Sequence, residues 1–263
     1  MTGWFRRRRL AQLRATPLPA AWAALLADKL PRFASMSHEQ RDALADDVSV
    51  FLAEKRFIGC AGLDVTDAMR VVIAGEACLL LLGRDDDDVF PGVHTILLYP
   101  TAWRATAVTD VGGGMRVSSP IARLGEAWQD GQIILAWDSV ASGVRDPHDG
   151  DDVVLHEFAH ALDHEDGAGD GAPIMPCRRM AAWATVLSTA WRGLQEHVAD
   201  GLPDVLRAYG ATNPAEFFAV ATEVFFERGP ALRAKHPALY AQLAEFYGQD
   251  PGGLEADGRD APT

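Results

Sequence analysis

The sequence predicts an α+β fold, mainly helical with a small mixed sheet beside the helix that carries the chemistry. Three observations lead there. The 263 residues are 48% hydrophobic and 23% charged, a globular balance with enough apolar material for a large core. Apolar residues recur at helical spacing in the first third and again from Asp152 onward. Between them the period changes, and short runs rich in β-branched and aromatic residues are bounded by Gly and Pro.

The elements follow in order. Ser37-His-Glu-Gln40 has the spacing of a capping box, and Leu44, Val48, Phe51 and Leu52 give the segment up to Phe57 a helical stripe. Thr66 to Leu82 reads as a second, more buried helix. Val93 to Tyr99 and Gln132 to Trp137 read as strands, with Gly112-Gly-Gly114 in a loop between them. That loop lacks the Lys-Ser/Thr of a phosphate loop and carries no nucleotide assignment. Helices are expected near 152–164, 178–199, 214–228 and 231–247. The Gly/Asp-rich residues after Pro251 are expected to be a disordered tail, and Asp85 to Asp88 a solvated turn.

Charge and cysteine content exclude several classes. The formal net charge is −13, with 24 basic and 37 acidic residues. Arg6 to Arg9 and Arg14 are concentrated at the start, which leaves a strongly acidic body unsuited to direct nucleic-acid binding. The basic start reads most simply as a frayed, solvated terminus. Arg14, Pro17 and Pro19 interrupt the apolar stretch that an export signal needs, and no run reaches the roughly 18 apolar residues of a membrane span. Cys60, Cys78 and Cys177 form neither a closed disulfide set nor a metal knuckle, so a reducing cytoplasm is the expected compartment.

The chemistry is concentrated in Val154-Leu-His-Glu-Phe-Ala-His-Ala-Leu-Asp163. Its core, His156-Glu157-Phe158-Ala159-His160, is the H-E-x-x-H pattern of zinc metallopeptidases. Histidines at i and i+4 stand one turn apart on one helical face, so both imidazoles reach a single metal ion. Glu157 lies about 100° round the helix, beside the metal, where a carboxylate can take a proton from water.

Local pattern leaves the third ligand open. Asp166 has the spacing of the third ligand in H-E-x-x-H-x-x-G-x-x-H proteins, but the Gly their turn needs is here Asp163. Asp163 faces the metal side one turn further on and is better suited to orienting a histidine. Glu216 lies 60 residues downstream of His156 in Asn213-Pro-Ala-Glu216, where it equally has the position of a capping-box carboxylate. Glu223, one heptad later on the same helical face, competes with it.

Ordered blocks over most of the chain resemble the Mlc titration factor A family of bacterial zinc metallopeptidases. They are Phe51-Leu-Ala-Glu-Lys-Arg-Phe57, Ile96-Leu-Leu-Tyr-Pro100, Gly125-Glu-Ala-Trp128, Ile133-Ile-Leu-Ala-Trp137 and His156 to Asp163. Ala215-Glu-Phe-Phe-Ala-Val220, Glu223-Val-Phe-Phe226 and Phe246-Tyr-Gly-Gln-Asp-Pro251 complete the set. The C-terminal blocks, with Tyr209-Gly and Thr212-Asn, also resemble the catalytic domain of anthrax lethal factor. The resemblance implies a zincin-like metallopeptidase domain over residues 17–251, between a flexible basic start (1–16) and a disordered tail (252–263). It implies Zn2+ held by His156, His160 and Glu216, catalysis by Glu157 and Tyr209, and demotes Asp166.

It further implies a peptidase, aminopeptidase-like in its expected cleavage, acting on a peptide or protein and linked to sugar-uptake control through an Mlc-type transcriptional repressor. A non-catalytic protein that sequesters the repressor is the alternative, and a non-proteolytic zinc hydrolase is a third reading. Strand Ile133 to Trp137 is a candidate edge for an extended peptide, with Trp137 either at the entrance or in the core. The acidic loop Asp146 to Asp152 suits a helix N-terminus, or else receives a cationic substrate group.

Overall fold

The structure, a computed structural model, describes residues 3–84, 88–102, 105–110, 116–121 and 131–253. Gly112 to Gly114, Asp85 to Asp87 and the tail from Leu254 lie outside the described residues.

Helices α1 (Gly3–Arg14), α2 (Ala20–Lys29), α3 (His38–Glu54) and α4 (Asp67–Leu79) form the first part of the chain. The capping box is present: Gln40 N–H donates to Ser37 Oγ (3.2 Å) and Ser37 N–H to Gln40 Oε1 (2.9 Å). Helix α3 stops earlier than its stripe suggested. Lys55 is extended, its Nζ donates to the Phe90 carbonyl at 2.7 Å, and Arg56–Gly59 become strand β1. Four residues are too few for a period-2 pattern to stand out in a sequence. The basic start is ordered as α1, with Leu10 buried and Arg6 and Arg14 paired with Glu54, Asp88 and Asp47. In α4 every residue from Val71 to Leu79 is buried.

Strands β2 (Thr95–Tyr99) and β5 (Gln132–Ala136) join β1 in a three-stranded sheet of order β1-β2-β5. All its pairings are parallel, with Phe57 opposite Ile96 and Ile96 opposite Ile133. Among the described residues, antiparallel pairing is confined to β3 (Ala105–Asp110) and β4 (Arg116–Ile121). The mixture expected of one sheet is thus distributed over two. Among the described strands β5 lies at an edge, and Trp137 is not in it: the residue begins α5 (Trp137–Arg145), packed partly against the core.

The rest of the chain is helical: α6 (Val153–Asp163), α7 (Cys177–Ala199), α8 (Pro214–Glu227), α9 (Gly229–Lys235) and α10 (Pro237–Tyr247). The last two were expected as one helix. Pro237 supplies no N–H and cannot continue α9, so the chain breaks at His236 and restarts with Pro at the first helical position. Helix α6 runs through the middle of the molecule, buried from Val154 to Asp163, and packs on α8, α4 and β5. Phe158 joins it to Phe51 and Phe90, with ring centroids 5.5 and 4.7 Å away. Among the described residues, no helix is long and apolar enough to cross a membrane.

Phe158 is fully buried between α6 and the sheet side of the core. Phe158→Ala is expected to cost about 3–5 kcal/mol, read as a lower urea midpoint at unchanged slope. A midpoint within experimental error of wild type would show that α6 is not anchored by this ring.

Candidate metal centre

Helix α6 begins at Asp152, whose Oδ1 accepts the N–H groups of Val154 (2.8 Å) and Leu155 (2.9 Å). The cap fixes the first turn, and the next two turns carry His156, Glu157 and His160, all buried. Helix α8 begins at Asn213, whose side chain accepts the Glu216 N–H at 2.9 Å. The cap and the site coexist there. Asn213 holds the backbone of Glu216, while the Glu216 carboxylate points at the histidines rather than back to the cap.

Glu216 Oε2 lies 3.1 Å from His156 Nε2 and 3.4 Å from His160 Nε2. One donor atom from each of the three residues fits within 4.8 Å of the others. Two imidazole nitrogens and one carboxylate oxygen are a donor set that zinc accepts, with a further position left for water or substrate. Beside them, Glu157 has a buried Oε2 with no hydrogen-bond partner. A carboxyl oxygen left bare in the core is costly unless something else occupies the space before it. These residues fit a zinc ion.

Carboxylates dominate the electrostatics around His156. Burial alone would lower the His156 pKa, but hydrogen bonds to Glu216 and Glu223 and the charge of Glu157 outweigh it and raise it to about 10. The same contacts pull Glu216 well below the usual carboxylate range, against a burial effect that opposes them. Burial pushes Glu157 up to about 8, reinforced by Glu216 and Glu223 and opposed by His156. The carboxylates of Glu216, Glu223 and Glu157 thus favour positive charge at His156, and a cation bound at the Glu216–His156–His160 junction would supply it in place of the ring proton.

Glu223 is the residue that the sequence left ambiguous. It is fully buried and accepts His156 Nδ1 at 2.7 Å, on the side of the ring away from Glu216. It also accepts the Asp152 N–H at 2.8 Å and Arg207 Nη2 at 2.6 and 2.7 Å. Glu223 therefore orients a histidine, the part expected of Asp163. Asp163 is buried too, but its Oδ2 accepts the Gly171 N–H (2.8 Å) and its Oδ1 has no partner. Burial lifts its pKa to about 6, with Gly171 and His160 pulling the other way.

Asp166 is exposed in the 3-10 turn His164–Asp166, bonded to the Ala168 N–H, and is not among the converging donors. The loop after that turn forms a wall of the site. Gly171 (φ +80°) passes 2.5 Å, measured from a would-be Cβ, from the Pro214 carbonyl, so a side chain there has no room. A cavity of about 360 Å³ opens beside His160 and Glu216, walled by His164, Asp170 and Asn213. A slightly larger one, about 390 Å³, lies at the far end of α8 by Arg32 and Glu227 and contains neither histidine.

Tyr209 sits in the 3-10 turn Ala208–Ala211 and is 47% exposed, accessible from solvent while its ring centroid is 6.0 Å from that of His156. Partial burial and the adjacent Glu216 raise its pKa to about 12, so the phenol keeps its proton at neutral pH. Arg207, two residues earlier, was not foreseen. Its partner lies 16 residues away on another element, and no local pattern marks such a contact.

The match to known proteins agrees with this geometry. Residues 2–248 match the family model described as glucose-regulated metallo-peptidase M90. The chain belongs to the M90 metallo-peptidases. An uncharacterized Synechocystis protein is 40% identical over 242 residues, 91% of this chain and 88% of its own length. Proteins named Mlc titration factor A from Cronobacter sakazakii and Klebsiella pneumoniae are 33% and 32% identical, over 89% and 88% of this chain and 87% and 86% of theirs. In this M90 chain the His156-Glu157-x-x-His160 motif and the downstream Glu216 come together as in zinc peptidases of the zincin type.

Elemental mass spectrometry distinguishes the ligand candidates. About one zinc per chain is expected in wild type and in Asp166→Ala, and none in Glu216→Ala. Zinc lost from Asp166→Ala but kept in Glu216→Ala would reverse the assignment.

Proposed function

We propose that this M90 chain hydrolyses peptide bonds with Zn2+ held by His156, His160 and Glu216. The observation that carries the reading is the meeting of His156 Nε2, His160 Nε2 and Glu216 Oε2 beside the unpartnered buried oxygen of Glu157. Zinc in that position supplies a Lewis acid that lowers the pKa of water towards 7 and polarises a carbonyl.

The chain's own residues supply the rest. Glu157 takes the proton from the attacking water and passes it to the departing amine. Its buried position, with Oε2 making no hydrogen bond, leaves an oxygen available for both halves of that transfer. Tyr209 keeps its proton at neutral pH and donates a hydrogen bond to the oxyanion that develops on the carbonyl. Strand β5, which contacts α6 and lies at an edge among the described strands, is a template for an extended peptide, and the cavity by His164 and Asp170 has room for one of its side chains.

Aminopeptidase-type cleavage belongs to the proposal, as does a cytoplasmic setting, supported by three free cysteines. A second role is favoured by the names of the relatives. Proteins called Mlc titration factor A match nearly nine-tenths of this chain, and we extend to it a transcriptional repressor of the Mlc type as partner, with sugar uptake as the process controlled. Pure sequestration without hydrolysis is the competing form of this role.

Glu157→Gln is expected to retain zinc and lose about 10²–10⁴-fold in kcat/KM on chromogenic peptides. Wild-type turnover in that variant would remove Glu157 as the base. Tyr209→Phe is expected to lower kcat by about 10²-fold or more with KM little changed; a change in KM alone would make Tyr209 a binding residue. Repressor capture by zinc-free Glu216→Ala, with no peptidase activity in zinc-loaded wild type, would favour sequestration.

A further inference from the structure

We propose that Arg207 is a positioning residue for the metal centre, acting through Glu223 on His156. The inference rests on the reading of His156 as a zinc ligand and goes beyond it, to what holds that ligand in place.

Each oxygen of the Glu223 carboxylate carries two donors. Oε1 accepts His156 Nδ1 at 2.7 Å and Arg207 Nη2 at 2.6 Å; Oε2 accepts the Asp152 N–H at 2.8 Å and Arg207 Nη2 at 2.7 Å. The side chain is fully buried, so its orientation is set by these partners and not by water. An Asp152 N–H alone would leave the carboxylate free to rotate about its terminal bond. That rotation is set by His156 Nδ1 and the Asp152 N–H on different oxygens, while Arg207 Nη2, in contact with both oxygens, holds the carboxylate head at its distance from the imidazole. With Nδ1 donating to the carboxylate, a neutral His156 directs its Nε2 lone pair toward Glu216 and His160.

Arg207 is itself held from two further sides. Its Nη1 pairs with Asp151 at 2.8 Å, in the loop that leads into α6. Its carbonyl accepts the Gly210 N–H at 3.0 Å, closing the turn that carries Tyr209. One guanidinium thus joins the start of α6, the buried face of α8 and the Tyr209 turn. His160 is held differently: its recorded partner is Glu216, and no carboxylate is paired with its second ring nitrogen among the described contacts. The outer support of the centre is therefore asymmetric, and it falls on His156.

Zinc affinity, measured on the full chain by competition with a chromogenic chelator, tests this without reference to turnover. Arg207→Met and Glu223→Gln are each expected to weaken zinc binding about 10–100-fold. Arg207→Lys keeps the charge but cannot hold Glu223 and Asp151 from two fixed nitrogens at once, and should fall between Met and wild type. Because Arg207 acts through Glu223, Arg207→Met should cost at most about 3-fold more when Glu223 is already Gln; fully additive losses would overturn the route. Circular dichroism of the apo proteins controls for folding, and Arg207→Lys carries the test if Arg207→Met does not fold. Wild-type zinc affinity in Arg207→Met or Arg207→Lys would overturn the inference whatever the activity. A zinc-loaded wild type that cleaves no peptide would overturn the peptidase reading and leave this one standing, while a wild type that binds no zinc would end both.

Discussion

Two carboxylates on α8 grip opposite nitrogens of one imidazole on α6, and the geometry of the molecule is organised around that grip. Glu216 and Glu223 are seven residues apart, about 10.5 Å along a helix at 1.5 Å per residue. His156 lies between them, with Nε2 3.1 Å from one and Nδ1 2.7 Å from the other. A slip of α6 against α8 by a single residue, about 1.5 Å, would pull one nitrogen out of range while crowding the other. The pair therefore sets the register of the two helices as well as the chemistry of the site. The same register brings His160 to Glu216 and turns Glu157 to its side.

Such a register needs charge in the core, and the start of α6 is where the fold accommodates it. Asp152, Glu223, Glu227 and Glu76 are all buried. Burial lifts Asp152 to about 6 and Glu227 to about 8, and Glu76 well above the ordinary range. Backbone donors offset much of that cost. The Gly150 and Asp151 N–H groups point at Glu227 (2.8 and 3.0 Å), the Asp152 N–H at Glu223, and the first amides of α6 at Asp152. The loop before α6 is thus wrapped onto α8 through its amides, while its exposed Asp151 meets Arg207. Of its acidic side chains, Asp152 caps the helix N-terminus and Asp151 pairs with Arg207.

What the sequence made legible was what is local. His156, Glu157 and His160 are fixed by helical spacing alone, and the Ser37 capping box, the Asn213 cap and the main helices are equally short-range. Glu216 could be singled out only through resemblance, because its relation to His156 depends on how α8 lies on α6. Glu223 was visible as a carboxylate on the right face, but spacing does not say which ring nitrogen it meets. Arg207 carried no signal at all. Asp163 was expected to orient a histidine and instead holds Gly171, a long-range backbone contact. Strand β1 escaped notice because four residues show no period, and the α9–α10 break because the apolar spacing continues across Pro237. The arginine-rich start was read from charge alone, yet its order comes from Leu10 and from acidic residues far along the chain.

The segment carrying Tyr209 follows the same logic at the open side of the centre. Asp204, its side chain almost fully buried, accepts His197 Nδ1 at 2.6 Å, His236 Nε2 at 2.8 Å and the Leu206 N–H at 3.1 Å. Lys235 adds a bond to the Pro203 carbonyl at 2.7 Å. These contacts pin the segment to the end of α7 and to the α9–α10 junction, and Arg207 pins it again three residues later. Gly210 packs against Leu194 and Val220 immediately beyond. An exposed tyrosine between two such anchors has little backbone freedom to lose when a substrate arrives. That is the condition under which a single hydrogen bond acts most strongly on a developing charge, since the donor is already in place and need not reorganise. Tyr209 meets that condition through contacts remote from His156 and His160, so the proposed oxyanion donor and the proposed metal ligands are held by supports that meet at Arg207.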